Sequence, residues 1–155
     1  MDRFLVLSVE FTLFCGSTFY HKFMLLIHEY PFLKIEVDEK NATIIMTWNG
    51  KFTSEQYREA TRKCLETVKQ YNLKNWLADT SGIDEIKPQD QDWTNENILF
   101  PISNLGVKKV ALIIPENVYN HLAISSIMVR GKSKFRFQSQ YFVHKKEALQ
   151  WFNQA

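Results

Sequence analysis

The sequence predicts an α/β domain in which an opening β-hairpin is followed by alternating helices and strands. The expected product is a mixed, mostly parallel sheet of about five strands flanked by about four helices. Three observations carry this expectation. Tyr57, Ala60, Cys64, Val68 and Tyr71 repeat at helical spacing. Trp76-Leu77-Ala78 and the run from Val110 to Ile114 are short and continuously apolar, as expected of strands covered on both faces. Amphipathic segments separate these runs, as parallel strands require. The 155 residues suit one domain, and 45% hydrophobic with 23% charged residues excludes disorder, collagen-like repeats and a disulfide-dense mini-protein. A net charge of +2 gives no whole-molecule reason for nucleic-acid binding. Twelve Phe, six Tyr and four Trp can build a large core.

Taken in order, residues 1–23 are apolar, but Glu10 interrupts the best run. No window reaches the ~18–20 uninterrupted residues of a spanning helix, so stable membrane insertion is not expected. The segment is a poor export signal: Asp2 offsets Arg3 and no A-x-A-like site follows. Phe14 before Cys15 is too bulky for a lipoprotein site. Leu7, Val9, Phe11 and Leu13 alternate with Ser8, Glu10 and Thr12, a half-buried strand pattern. Residues 1–24 therefore read as an extension, either an extra strand or a mis-assigned start, and residues 25–155 as the domain. A cytoplasmic location is expected.

Leu33-Lys34-Ile35-Glu36-Val37 alternates as a strand, Asp38 to Asn41 supply turn chemistry, and Thr43 to Trp48 return. Asn49-Gly50 then turns the chain into the clearest helix. Thr53 is its N-cap, Gln56 completes a capping box, and Asn72 ends it in the left-handed conformation. After the Trp76 strand, Asp79-Thr80-Ser81-Gly82 is expected to leave as a loop. A second helix runs from Gln89 to about Ser103, shortened or kinked by Pro101. Gly106 stops it before the Val110 strand, and Pro115-Glu116 opens a third helix to about Arg130. Phe135, Phe137 and Tyr141 alternate with Lys134, Arg136, Gln138 and Gln140 as a last strand. A helix from Glu147 to Phe152 closes the chain, burying Ala148, Leu149 and Trp151, with His144 at its start.

Several short stretches resemble a known family. Trp48-Asn49-Gly50-Lys51-Phe52, Tyr57-Arg58-Glu59-Ala60 and Trp76-Leu77-Ala78-Asp79-Thr80 are similar to the first half of a SpoIIAA-like domain. Asp92-Trp93, Phe100-Pro101, Gly106 to Ala111 and Glu147 to Trp151 are similar to the second half. The match is to small bacterial STAS/SEC14 domain proteins of unknown function, and it covers about Leu25 to Phe152. The resemblance implies a compact α/β protein, often self-associating, with no established catalytic residues. STAS domains more broadly bind protein partners, some under phosphorylation control. SEC14-type relatives hold lipids.

On that resemblance, Asp79-Thr80-Ser81-Gly82-Ile83 is similar to the phosphoacceptor loop of anti-sigma-factor antagonists, with Thr80 as acceptor and Ser81 beside it. Phosphate there would add nearly two negative charges at a strand end. The same residue types also make an ordinary turn. Arg130, Lys132, Lys134 and Arg136 form a candidate basic face for an anionic surface or acidic partner. Alternating cations equally protect a strand edge. An acidic stretch from Asp79 to Glu96 could meet that face in a second copy. Trp93, Phe100, Leu122 and Met128 are a candidate apolar pocket for a lipid or small apolar ligand, or else core. Cys64, on the apolar helix face, reads as a small buried hydrophobe. The four histidines show no metal spacing, and no nucleophile, phosphate-loop or dinucleotide motif is present, so no catalytic residue, metal or cofactor is assigned. The expected function is a non-enzymatic binding or regulatory module with a protein partner or a second copy of itself. The alternative is a carrier of an apolar ligand.

Overall fold

The computed structural model describes residues 24–155, so the alternating pattern of Leu7 to Leu13 lies outside the described residues, as does Cys15. Six strands form one mixed sheet in sequence order: β1 Met24–Glu29, β2 Leu33–Asp38, β3 Thr43–Gly50, β4 Asn75–Ile83, β5 Lys109–Ile113 and β6 Gln138–Phe142. The first three pair antiparallel and β3 to β6 pair parallel. The opening hairpin is as expected, but the sheet has one strand more than predicted. Met24-Leu25-Leu26-Ile27 does not alternate, and the β1–β2 register shifts between Leu26 and His28. Such a bulge breaks the period of two that a strand otherwise shows in sequence.

Helix α1 Ser54–Tyr71 has the predicted capping box between Thr53 and Gln56, and Asn72 ends it at φ 51°. Helices α2 Pro88–Thr94 and α3 Phe100–Asn104 are joined by a π turn over Asn95–Leu99 into one continuous helical run. Pro101 does not end this helix. The wider turn just before it shifts the carbonyl that the proline ring would otherwise meet. Helix α4 Val118–Gly131 is capped by Asn117, whose side chain accepts from the N–H groups of Tyr119 and Asn120. Helix α5 Lys145–Phe152 follows His144, which makes no side-chain cap, and buries Ala148 and Phe152. Leu149 and Trp151 are half-buried against the same cluster.

The crossovers α1, α2–α3 and α4 pack on one face of the sheet, as right-handed connections advancing in one direction must. Trp48, Tyr57, Trp76, Ile102 and Ile124 belong to the core there. On the other face α5 packs over Ile45, Leu77, Ala111, Ile113 and Phe142.

Two local expectations need correction. Asp79-Thr80-Ser81-Gly82 is not a loop but the continuation of β4, with Gly82 opposite Asn49 and Ile83 opposite Gly50. A Cβ on Gly82 would stand 2.9 Å from the Trp48 carbonyl oxygen, so glycine lets the two strands stay this close. Phe135 and Phe137 lie before the last strand, after a 3-10 turn at Lys132–Lys134. They stack at 4.6 Å and both pack into the main core, which mimics strand alternation in sequence.

Candidate functional site

Parallel pairing brings the carboxyl ends of β3 to β6 to one end of the sheet, where Asp79, Thr80 and Ser81 lie. Thr80 is only 4% exposed, and its hydroxyl donates to the Ile113 carbonyl at 2.5 Å. Ser81 is exposed, and its backbone N–H (3.1 Å) and hydroxyl (2.6 Å) both donate to Asp79 Oδ1. Of the two motif hydroxyls, only that of Ser81 reaches the surface.

The acidic stretch does not form one face. Asp90 is 1% exposed and accepts from Arg58 Nε at 2.8 Å and Ser54 Oγ at 2.6 Å, tying α2 to α1. Trp93 sits under the Arg58 and Arg62 guanidinium groups, at 5.4 and 5.0 Å. The Tyr57 and Thr94 hydroxyls share a hydrogen bond of 2.8 Å beside them. Burial pushes the Tyr57 phenol up to about 12 and also raises the Cys64 thiol, which holds Cys64 as an inert thiol. This cluster braces two helices. The sequence concealed it because Arg58 and Asp90 belong to separate amphipathic patterns.

The four candidate pocket residues do not converge. Trp93 belongs to the arginine brace, and Phe100 packs on Phe135 with Lys134 Nζ 5.0 Å above its ring. Met128 is in the core, whereas Leu122 on the same helix is 62% exposed. The basic face is likewise divided. Arg130 pairs with Asp92 and Lys134 covers Phe100, while Lys132 and Arg136 are exposed.

What the sequence did not single out is a surface built from α4 and β6. Val118, Leu122 and Val129 are 68, 62 and 72% exposed, and their spacing of four and seven residues aligns them along one outward stripe. Tyr119 is exposed beside them. On a neighbouring side of the helix His121 meets Tyr141 of β6 at 6.1 Å, and Val143, just after that strand, is also exposed. An open groove of about 550 Å³ lies against β6 and α5, lined by Ile114, Gln140, Phe142, Glu147, Gln150 and Trp151 among others. Thus β6 meets α4 through Tyr141 and His121 and borders a groove shared with α5.

No family model matches the chain, and no match is found among curated proteins or solved structures. Among the described residues no helix is long and apolar enough to cross a membrane. Nor do three His, Cys, Asp or Glu side chains among them converge in a way that could hold a metal ion.

Proposed function

We propose that this chain is a SpoIIAA-like, non-enzymatic binding module of the STAS type. It works in the cytoplasm by docking a protein partner on the α4–β6 surface. The observation that carries this reading is the outward stripe of Val118, Leu122 and Val129. Val118 and Leu122 are neighbours on it, Ser125 and Ser126 separate Leu122 from Val129, and apolar side chains grouped in water are kept mainly where something binds. The α/β architecture supports it, since the sequence resemblance implies an α/β protein. In this reading Ser81, rather than Thr80, is the phosphoacceptor, because its hydroxyl is the exposed one. The carrier reading has less support, since the side chains that would line its pocket point to different environments.

The test is affinity capture from native lysate with the wild-type chain and with a Val118→Asp/Leu122→Asp variant, reading both proteins and lipids by mass spectrometry. The wild type is expected to retain a protein that the variant loses. Equal retention by both, or capture of lipid alone, contradicts the reading. Phosphopeptide mapping in the native host tests Ser81 separately, and modified Thr80 with unmodified Ser81 would reverse that assignment.

A further inference from the structure

Among the described residues the outer edge of β6 pairs with no strand, and its backbone has a hydrogen-bonding character of its own. Gln138 N–H donates to the Lys108 carbonyl at 2.9 Å, and the Phe142 carbonyl accepts from Ile114 N–H at 3.0 Å. Backbone groups alternate in direction along a strand, so the N–H and C=O of Ser139 and Tyr141 point away from β5, toward the open edge. The opposite edge strand, β1, is blunted by its bulge and by Glu29. Among the described residues β6 has no such protection: its register with β5 is regular over five pairs, and Gln138-Ser139-Gln140-Tyr141-Phe142 carries no charge.

A strand laid along this edge would find a receptacle on each side. Its side chains would alternate between the α4 flank, at Tyr141 and His121, and the groove at Phe142 and Trp151. The charges nearest the ends of β6 are cationic, and Glu147 is the first acid beyond them. Lys132, Lys134 and Arg136 precede it, and Lys145 and Lys146 follow its last residue by three and four positions. Antiparallel pairing of two copies through β6 would set these cationic flanks against each other, which disfavours a second copy as occupant. A strand with acidic ends complements both flanks in either direction.

We infer that β6 is a β-augmentation site: it takes an extended segment of a partner protein whose alternating apolar core is flanked by Asp or Glu. The inference rests on the partner-binding reading of the α4–β6 surface and specifies its mode.

The test uses the full chain and the synthetic peptide Asp-Glu-Thr-Val-Thr-Val-Thr-Asp-Glu. Affinity is read by fluorescence anisotropy, and amide protection by hydrogen exchange. The peptide is expected to bind and to slow exchange at Ser139 and Tyr141. Replacing its acidic ends with lysines, or N-methylating its alternate amides, is expected to weaken binding by about tenfold or more. Ser139→Pro in the protein has the same expected effect, because it removes an edge-facing N–H without breaking the β5 ladder. The peptide comparisons hold even if that variant misfolds.

Equal binding of the lysine-ended peptide, or no binding up to about 1 mM, overturns the inference. So does a dimer, seen by sedimentation, that Ser139→Pro dissolves. The two levels separate cleanly. If Val118→Asp/Leu122→Asp loses the cellular partner while Ser139→Pro keeps it, strand addition is wrong and the binding surface stands. If both variants keep it, both readings fall.

Discussion

Helices α1 and α4 are both crossovers between parallel strands, and both lie on the same face of the sheet, yet their surfaces are divided differently. Helix α1 buries Tyr57, Ala60, Cys64 and Val68 and presents Glu55, Glu59, Arg62, Glu66 and Lys69 to water. Helix α4 buries Ile124, Ile127 and Met128 and still turns Val118, Leu122 and Val129 outward. A helix with one apolar side is satisfied by its own domain. One with a second apolar side is satisfied only when something else covers it. The contrast separates residues that hold this fold from residues that the proposed partner would cover.

The contrast is tested most strongly by placing the same substitution on each helix. Val68→Asp, which buries an unpaired carboxylate, is expected to destabilise the protein by more than about 3 kcal/mol in urea unfolding. Leu122→Asp is expected to change stability by less than about 0.5 kcal/mol, because most of its side chain is already in water. A large loss for Leu122→Asp would mean that α4 uses its outward side for folding.

Next in size is the brace beside α1. Asp90→Ala removes the acceptor of both Arg58 and Ser54 and is expected to cost about 2 kcal/mol, moderated by the partial exposure of Arg58. A comparable cost, again about 2 kcal/mol, is expected for Gly131→Ala at the buried end of α4, where a Cβ would crowd Phe135 and stand 2.7 Å from Asn95 Oδ1. Both are read by thermal or urea unfolding. A cost near zero at Gly131 would show that Phe135 moves aside freely.

A further test is pH dependence. Burial raises the Cys64 thiol above its ordinary 9.0 and the Tyr57 phenol from 10.0 to about 12. The folded state therefore holds these protons where the unfolded chain releases them. Stability is complete below about pH 9 and falls as pH rises through the interval between unfolded and folded values. Tyr57→Phe should flatten the part of that decline between pH 10 and 12, as measured by the midpoint of urea unfolding across the pH series. An unchanged slope would remove Tyr57 from the account.

Helix α1 was legible because capping box, stripe and C-cap agree over one local stretch. The hairpin of β2 and β3 and the buried cores of β4 and β5 were legible for the same reason. Other features depend on what the chain meets in space. Thr80 and Gly82 have turn composition but are held in β4 by the approach of β3 and the Ile113 carbonyl. Phe135 and Phe137 alternate like a strand because both enter one core. The outward stripe of α4 was hidden because a helix apolar on several sides gives no phase from which to tell core from surface. The Arg58–Asp90 pair is a contact across 32 residues, which local pattern cannot show.

In the proposed function the outward side of α4 is a binding surface and the outward side of α1 is not. The direct measurement is site-specific photo-crosslinking in the native host, with the crosslinker placed at Leu122 on α4 and at Lys69 on α1. Both positions are exposed. The account predicts a discrete protein adduct from position 122 and none from position 69. Adducts of equal yield from both positions, or an adduct only from position 69, would contradict it.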